Sequence, residues 1–418
     1  MAGPDPLGRL DAGEVWPAAN RVERTDRVVI CGAGPTGVFA ALTLAREGVA
    51  VLLLEKGAGL STESRASTFH PPTLELLDDL GVAEAVIEAG LRAPTTQFRD
   101  RRTGPIATFD LGLLADDTRF PFRIQLEQDK AAQLGLDVLA ADFADLVDVR
   151  FEWRCHGVLD QSDDAVRLLV GTSDGFVELV APWVIAADGA HSAVRTSLGT
   201  ELVGETYPEH FLVVSVRDDI ADALDDLAFV NYVADPDEWL VLLRTPDHWR
   251  VLFPIGANDV ATATNPDDLQ RRLDAVVELG RRWDVIAASL YIVSRRVAER
   301  MRIGRVLLAG DAAHQNSPLG GMGMNSGIQD AVSCGGRLAR VLAGDSDSLL
   351  DEYDTNRRRV ATDYVQADSH ANWLALREPD PVTRQALQDD LRAIAADPVR
   401  HRERVARTAM LDAVRDSM

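Results

Sequence analysis

A glycine-rich string near the start of the chain has the residue types and spacing that hold a pyrophosphate. The string is Gly32-Ala33-Gly34-Pro35-Thr36-Gly37, a GxGxxG pattern. In such a turn the first glycine permits the tight bend, the second lets the backbone approach a phosphate, and the third allows close packing of helix on strand. The N–H groups at the start of the following helix then bind the anion. A glycine turn without a ligand is the alternative interpretation.

An acid lies where such a unit places its ribose-binding residue. The apolar run 49–55 (VAVLLLE) predicts a buried strand that ends in Glu55, 23 residues past Gly32. A carboxylate there accepts hydrogen bonds from ribose hydroxyls and repels a 2′-phosphate. The string and this acid therefore predict a site for NAD or FAD rather than NADP. Lys56 follows directly and is counted among the predicted cofactor contacts.

A second acid–glycine pair, Asp188-Gly189, follows the apolar run 183–187 (WVIAA), and Ser192 and Arg195 come shortly after it. The run predicts a buried strand that delivers the acid and the glycine to a turn. Asp188 is therefore a candidate cofactor contact. The alternative is an aspartate that caps the next helix.

A third pair, Gly310-Asp311, follows the apolar run 305–309 and precedes the segment 318–325 (PLGGMGMN). Asp311 is placed to accept hydrogen bonds from a polyol. A helix predicted from Ser326 onward would offer its N–H groups to a carbonyl or a developing anion. The G-x-G spacing here breaks the dinucleotide pattern, and no strand ending in an acid follows. The sequence therefore does not predict a second nicotinamide-nucleotide domain.

The elements that carry these motifs predict an α/β fold. Strand 27–31, helix 36–47 and strand 49–55 form a βαβ unit, so a parallel sheet begins there. Helices are predicted over 74–89 and 128–141, strands and loops over about 95–126, a β-meander over 147–182, a sheet with acidic loops over 196–295, and helices from about 325.

Composition excludes several classes of function. Acids outnumber bases 66 to 43, which gives a net charge of −23. Such a chain repels nucleic-acid backbones and anionic lipid surfaces, so neither partner is expected. No apolar run reaches the roughly 18–20 residues of a membrane span, and the start lacks a secretory signal. The three cysteines have no CxxC spacing, so neither a disulfide framework nor a metal site is expected. We predict a soluble cytoplasmic protein.

The three motifs, in this order, resemble the single-component FAD-dependent aromatic hydroxylases, the flavoprotein monooxygenases typified by para-hydroxybenzoate hydroxylase. The resemblance covers about residues 27–345. Two further segments, SRASTFHPPTLELLDDLG and PFRIQLEQDK, also look like segments of that family. They add Arg65 and Gln128 as implied flavin contacts.

The resemblance implies a role for each motif residue. Glu55 holds the adenosine ribose, Arg65 and Gln128 lie along the ribityl–pyrophosphate stretch, and Asp311 holds the ribityl chain. Asp188 lies in a motif linked to both FAD and reduced nicotinamide. Around the isoalloxazine the resemblance places Pro318, Gly321, Gly323, Met324 and Asn325.

The implied activity is oxygen transfer to an aromatic ring. The family resemblance predicts an FAD-dependent, NAD(P)H-consuming monooxygenase that hydroxylates a phenolic or N-heteroaromatic small molecule through a flavin C4a-hydroperoxide. NADH or NADPH and O₂ are transient co-substrates, and a homodimer is a candidate assembly. Epoxidation, N-oxidation or Baeyer–Villiger oxygenation on the same scaffold, and a non-catalytic flavoprotein, stay open. Halogenation is disfavoured because neither Lys56 nor Lys130 fits that chemistry.

The predicted fold is a Rossmann-like FAD-binding domain with an inserted, mainly antiparallel β-sheet substrate lobe and a helical C-terminal segment. The predicted divisions are a flexible N-terminal extension (1–26), a first FAD-binding part with some substrate-lobe strands at about 95–126 (27–195), a β-sheet substrate domain (196–295), a second FAD-binding part (296–345) and C-terminal helices (346–418).

Four residues are candidates for the substrate pocket, which needs a hydrogen-bonding group and an apolar wall. They are Tyr232, Arg250, His210 and His314. Each also has an ordinary structural explanation, and none is assigned as catalytic. The C-terminal segment reads as solvated helices, of which a part could cover the active site or form a dimer contact.

Overall fold

The computed structural model describes residues 5, 7–8, 16–62 and 66–415. In chain order its strands are β1 (Arg21–Arg24), β2 (Val28–Cys31), β3 (Val51–Leu54), β4 (Thr68–Phe69), β5 (Leu91–Ala93), β6 (Thr95–Asp100), β7 (Gly104–Asp110), β8 (Arg123–Gln125), β9 (Val147–Arg150), β10 (Arg154–Gln161), β11 (Val166–Thr172), β12 (Gly175–Ala181), β13 (Val184–Ala186), β14 (Leu202–Val216), β15 (Val230–Ala234), β16 (Leu240–Arg244), β17 (Trp249–Ile255), β18 (Val285–Ala298), β19 (Arg302–Ile303), β20 (Val306–Leu308) and β21 (His314–Gln315).

The helices are α1 (Pro35–Arg46), α2 (Pro71–Asp79), α3 (Ala83–Ala89), α4 (Gln128–Asp142), α5 (Ala193–Ser197), α6 (Pro266–Asp274), α7 (Gly323–Leu342), α8 (Ser348–Val360), α9 (Ala367–Leu376), α10 (Pro381–Ala396), α11 (Pro398–Thr408) and α12 (Leu411–Arg415). A π-helical turn, Ala361–Gln366, joins α8 to α9. The helix predicted over 74–89 is two helices, because Gly81 adopts φ +71° between them and ends the first.

A six-stranded sheet forms the centre of the molecule, in the order β19-β20-β13-β2-β3-β9. All neighbours from β20 to β9 run parallel, and their strands are nearly all fully buried. Strand β9, predicted within the β-meander, pairs instead with β3 at the sheet edge. Its alternating sequence VDVR suits either place, so periodicity could not decide between them.

A second sheet of eight strands has the order β21-β18-β14-β17-β16-β15-β6-β7. Only the β15–β6 pair is parallel, so the predicted mainly antiparallel lobe is confirmed. Strands β6 and β7 come from the predicted 95–126 segment, and the predicted boundary at 295/296 falls inside β18. One face of this sheet packs on α6 through Trp249 and Trp283. The other faces the C-terminal helices through Phe98, Phe109 and Tyr232.

Two smaller sheets complete the fold, β1-β12-β11-β10 and β4-β8-β5. Strand β1 lies in the segment predicted to be a flexible extension. It pairs in parallel with β12, from Arg21 opposite Val177 to Arg24 opposite Val180. Its sequence RVER gave no apolar pattern because an exposed edge strand is held by backbone hydrogen bonds rather than burial. Within the described residues, no helix combines the length and apolar character that crossing a bilayer requires.

Candidate active site

The glycine string and the two acid–glycine pairs meet at one edge of the central sheet. They follow β2, β13 and β20, which are adjacent parallel strands, and Glu55 follows β3, the next strand along. The carboxyl ends of adjacent parallel strands share one edge, and open α/β sheets bind their ligands there. The carboxyl edge, as we call it, comprises residues 32–37, 55, 188–189 and 310–311.

Contacts at the glycines distinguish the positions that the fold needs from the position that leaves room for a ligand. A Cβ on Gly37 would lie 1.8 Å from the carbonyl oxygen of Gly32, and one on Gly32 (φ +101°) would lie 2.4 Å from that of Ala187. At Gly34, φ is −68°, and no heavy atom of the described chain lies within 4 Å of the Cβ position. The backbone therefore does not require glycine at 34, and the open space there suits a phosphate.

Helix α1 links the first motif to the third. Pro35 is its first residue, where a missing N–H group costs nothing. The Oγ1 atom of Thr36 would lie 2.5 Å from a Cβ on Gly310 and 2.6 Å from one on Gly327, so the two motifs pack without intervening side chains. No side chain caps the start of α1, and its first N–H groups stay available to an anion.

Glu55 joins the glycine string to the turn that follows β3. Its Oε2 accepts a hydrogen bond from the Ala33 N–H at 2.9 Å, and its Oε1 accepts one from the Gly57 N–H at 3.0 Å. A carboxylate oxygen has a second lone pair, so both oxygens can still accept hydrogen bonds from a ribose. Lys56, the next residue, is exposed.

Asp188 has one oxygen engaged and one without a partner. Its Oδ2 accepts hydrogen bonds from the N–H groups of Ala193 and Val194, at 2.8 and 3.2 Å, which is the helix-capping interpretation. Its Oδ1 is buried and has no hydrogen-bond partner within the described residues. Burial raises the pKa of this carboxyl, against the effect of the N–H groups that face it. Arg195 ties this motif to the third by donating to the carbonyl oxygen of Ala312 at 2.9 Å.

The third motif continues into α7, which begins at Gly323, three residues before the predicted start. The reason is Asn325, whose side chain shapes the preceding loop. Its Nδ2 donates to the carbonyl oxygens of Thr68 and Gly321, each at 2.7 Å, and its Oδ1 accepts from the His70 N–H at 2.9 Å. These bonds hold the loop against β4 and allow the helix to start early.

The flavin loop, as we call residues 318–325, holds the remaining predicted contacts of the third motif. The carbonyl oxygen of Pro318 accepts from the Gly321 N–H at 3.0 Å, and Gly321 adopts φ +67°. Met324 is half-buried against the core. No side chain caps α7, so its first N–H groups stay available to an acceptor. Asp311 is exposed at the carboxyl edge.

Two predicted contacts come from outside the three motifs. Gln128 begins α4, and its Oε1 accepts from the Ala66 N–H at 3.4 Å. Arg65 lies outside the described residues.

Sequence reasoning missed Gln125, whose amide has an unused donor. Its Oε1 accepts from the Thr68 hydroxyl at 2.9 Å, whereas its Nε2 is fully buried and has no partner in the described structure. Thr68 in turn packs against Gly321 of the flavin loop. A signal was present, because a glutamine between Ile124 and Leu126 in an apolar strand is unusual unless its amide is used.

A cavity of about 20 Å³, room for about one water molecule, lies between the flavin loop, the eight-stranded sheet and the C-terminal helices. Its walls must therefore move apart to admit an aromatic ring. Its sheet wall consists of Thr96, Phe98, Phe109 and Tyr232. The flavin loop adds Gly320 and Met322.

The opposite wall of this cavity comes from the C-terminal helices and β8. Asn372, Arg404 and Thr408 lie on α9 and α11, and Arg123 projects from β8. The C-terminal helices therefore form part of the cavity wall, while their predicted role in covering the active site stays a prediction.

Of the four pocket candidates, Tyr232 lines the cavity. It is 5% exposed, and its ring stacks on Phe98 with 5.1 Å between centroids. Arg250 is buried elsewhere, where it donates to the Ser67 hydroxyl at 3.2 Å. His210 and His314 are likewise absent from the cavity wall.

His314 belongs to a buried ionic network behind the third motif. Its Nε2 lies 2.7 Å from Oδ2 of Asp330, and the Nε of Arg357 donates to Oδ1 of Asp330 at 2.6 Å. Asp330 also accepts from the Gly310 N–H at 2.9 Å. The network thus fixes the Gly310-Asp311 turn to α7 and α8, which is a structural role for His314.

His70, which holds the flavin loop, should make the stability of the protein depend on pH. Burial, and then the nearby Arg123 cation, hold the pKa of His70 well below its usual range. The folded chain therefore keeps this imidazole neutral, and its Nε2 donates to the Gly320 carbonyl oxygen at 2.9 Å. In the unfolded chain this histidine gains a proton below about pH 6.5. The free energy of unfolding therefore decreases by about 1.4 kcal/mol for each further pH unit.

We expect the urea concentration at the unfolding midpoint to decrease as the pH is lowered from 6.5 to 5.5. The H70Q variant should show a smaller decrease. The glutamine amide can still donate to Gly320. The exposed His191 provides the control variant, H191Q. An equal pH dependence in wild type and H70Q would show that His70 is not the group responsible.

Comparison with known proteins relates this geometry to flavoenzymes. Residues 25–368 match a family described as an FAD binding domain. The para-nitrophenol 4-monooxygenase of Pseudomonas sp. (strain WBC-3) is 32% identical over 376 residues, which are 88% of this chain and 91% of that protein.

Two solved structures extend the comparison. The p-nitrophenol 4-monooxygenase of Pseudomonas putida DLL-E4 superposes with a TM-score of 0.88 at 30% identity, over 95% of this chain and 100% of that one. Aklavinone-11 hydroxylase, solved in a ternary complex with FAD and aklavinone, gives a TM-score of 0.75 at 28% identity, over 85% of this chain and 70% of that one.

Proposed function

We propose, from the premise that this chain belongs to the FAD-dependent aromatic hydroxylases, that it hydroxylates a small phenolic ring held in the cavity between the flavin loop and the eight-stranded sheet. The family membership makes the chain an FAD-dependent monooxygenase that consumes reduced nicotinamide and O₂. The site and the substrate class are inferences from the geometry.

One observation carries the proposal: the flavin loop lines the cavity and leads into α7, whose Gly327 packs against Thr36 and Gly310 of the carboxyl edge. Gly320 and Met322 line the cavity, while Asn325, three residues on, lies in the first turn of α7. A ring in this cavity would therefore be next to a cofactor laid along the carboxyl edge and ending at α7.

The residues present fit a flavin dinucleotide. The open space at Gly34 and the uncapped start of α1 suit its pyrophosphate, and Glu55 has lone pairs for the adenosine ribose. Asp311 and the unused Oδ1 of Asp188 suit hydroxyls further along. The unused amide of Gln125 and the uncapped start of α7 suit the polar edge of the ring system.

Other predicted contacts have secondary places in this assignment. Gln128 and Arg65 are retained as contacts along the ribityl stretch. Lys56 is retained only as a neighbour of the ribose. The backbone from Pro318 through Gly321, Gly323 and Met324 would bound the isoalloxazine.

Bound FAD supplies the chemistry that the side chains lack, by accepting electrons from reduced nicotinamide and reacting with O₂. The chain's own contribution is to orient the ring and exclude water. Phe98, Phe109 and Met322 form an apolar wall that is at least 92% buried. The Tyr232 hydroxyl is the group available to hydrogen-bond a ring hydroxyl and so favour release of its proton.

The decisive experiment follows oxidation of NADH and NADPH by the purified yellow protein, with and without a panel of phenols and hydroxylated N-heterocycles. We expect at least one compound to stimulate oxidation and to yield nearly stoichiometric oxygenated product. Peroxide as the sole product from every compound, or no stimulation at all, would contradict the proposal.

A cavity-filling variant locates the site. Thr408 lines the cavity and Thr362 is exposed, and each donates from Oγ1 to the carbonyl oxygen four residues earlier in its helix. T408W should therefore retain FAD but lose substrate stimulation, whereas T362W should keep both. Unchanged stimulation in T408W would place the substrate elsewhere. The cytoplasmic location and the homodimer stay predictions.

A further inference from the structure

Two guanidinium groups face the cavity without a carboxylate partner. Arg123 is 3% exposed, and its Nη2 donates to the carbonyl oxygen of Thr408 at 3.1 Å. Its Nε and Nη1 are buried and have no hydrogen-bond partner in the described chain. Burial lowers the pKa of Arg123, and the neighbouring Tyr232 phenol opposes that shift.

Arg404 lies one helical turn before Thr408, so both cations converge on the same part of the cavity. Its guanidinium carbon lies 4.8 Å from the ring centroid of Phe109 and 5.1 Å from that of Phe98. In the described residues no carboxylate is within ion-pair distance of it. Burial lowers the pKa of Arg404, and the more distant charges of Asp390 and Asp368 oppose that shift.

Neighbouring arginines on the same helix are paired, so the unpaired state is specific to the cavity. Arg400 donates to Asp390 at 2.7 Å, and Arg407 contacts Asp368 at 2.6 Å. The chain has 23 more acidic than basic residues, so the lack of carboxylate partners for Arg123 and Arg404 does not reflect a shortage of acids. A buried cation without a counter-charge is strongly unfavourable, and such groups are normally paired.

We propose that Arg123 and Arg404 together bind a carboxylate carried by the aromatic substrate. The inference rests on the proposed function, and it narrows the substrate class to phenolic acids. A carboxylate offers two oxygens in one plane, which guanidinium groups bind with paired hydrogen bonds. A phenolate has a single oxygen. That oxygen cannot accept hydrogen bonds from all the free N–H groups of two guanidinium groups.

A route from solvent to this site passes the same cation. A groove between α9, α10 and α11 has a lining of mixed charge, with Arg400 and Arg407 beside Asp368 and Glu403. Asn372, Arg404 and Thr408 line both the groove and the cavity. Arg404 therefore lies at the junction of groove and cavity. An anionic substrate entering along the groove would meet Arg404 before reaching Arg123.

The test is calorimetric titration of the FAD-loaded enzyme with matched ligand pairs, namely 3- and 4-hydroxybenzoate and the corresponding hydroxybenzamides, with phenol as a neutral reference. Acid and amide have nearly the same shape and differ in charge. We expect at least one acid to bind about tenfold or more tightly than its amide, because the amide leaves a buried cation unpaired.

Arg404 is the position to vary, because Arg123 also holds α11. R404M should reduce the acid-over-amide preference about tenfold, and R404K should restore part of it. R402M should leave the preference unchanged, because Arg402 lies on the same helix, pairs with Asp117 and lines neither the groove nor the cavity. Melting temperatures within a few degrees of wild type would show that each variant is folded.

Several results would overturn the inference. They are an amide that binds as well as its acid, a preference that survives in R404M, or an equal loss in R402M. Binding of phenol without any of the acids would do the same while leaving the proposed function intact. If no aromatic compound binds, both the inference and the proposed function fail.

Discussion

G37A should prevent the FAD-binding sheet from assembling, whereas G34A should leave the fold intact and lose the cofactor. A Cβ on residue 37 would lie 1.8 Å from a backbone oxygen, so α1 would have to move away from β2. We expect a loss of about 3 kcal/mol or more from this overpacking. At residue 34 the added methyl meets open space in the chain but occupies the approach of the pyrophosphate.

Two measurements separate these outcomes, namely flavin absorbance near 450 nm after desalting and the melting curve by circular dichroism. G34A should melt like wild type and bind FAD on the order of 100-fold more weakly, about 2.7 kcal/mol. G256A is the control, since Gly256 is also unobstructed and directly follows β17 of the eight-stranded sheet, far along the chain from the glycine string. A yellow, stable G37A protein, or a G34A protein with full flavin content, would contradict this account.

D330N should be among the most destabilising single substitutions in the chain, with a cost of about 3–5 kcal/mol. Asp330 is fully buried, and removing its charge deprives the fully buried Arg357 of the carboxylate with which it pairs. Burial raises the pKa of Asp330, but His314 and Arg357 together hold it below the usual range. Its stabilising effect is therefore complete above about pH 4 and is lost as the pH falls further.

Urea unfolding at pH 7 and at pH 4 tests this directly. The variant should show nearly its full deficit at both pH values, because the folded carboxyl keeps its charge down to about pH 4, and the deficit should shrink only on further acidification. The matched control is D351N, because Asp351 pairs with Arg302 on the surface and is 70% exposed, so its loss should cost under about 1 kcal/mol. Equal deficits for the two variants would contradict a special role for the network.

The carboxyl edge was predictable because its signals are local. A glycine string follows β2, an acid follows β3, and an acid–glycine pair follows each of β13 and β20. Parallel strands bring these carboxyl ends together whatever the intervening chain does. Glu55 could thus be placed from residue spacing alone. The antiparallel lobe was equally readable from its apolar runs among acidic loops.

The cavity was not predictable, because its walls are far apart in the sequence. Thr96 and Thr408 face one another only through the packing of α11 on the eight-stranded sheet, for which no local pattern exists. Arg404 in the string HRERVAR looks like any solvated helical arginine. His314 was a reasonable pocket candidate from its nearness to Asp311, yet its partner Asp330 lies 16 residues on and draws it into the core.

The distant origins of the cavity walls set an order of events during biosynthesis. The last strand of the central sheet, β20, is complete at Leu308, but Arg404 and Thr408 leave the ribosome about 100 residues later, an interval of roughly 5–20 s. The strands that form the carboxyl edge are therefore synthesised before the helices that close the cavity. A translation product that ended short of α11 would be the form in which electrons pass to oxygen in contact with bulk water.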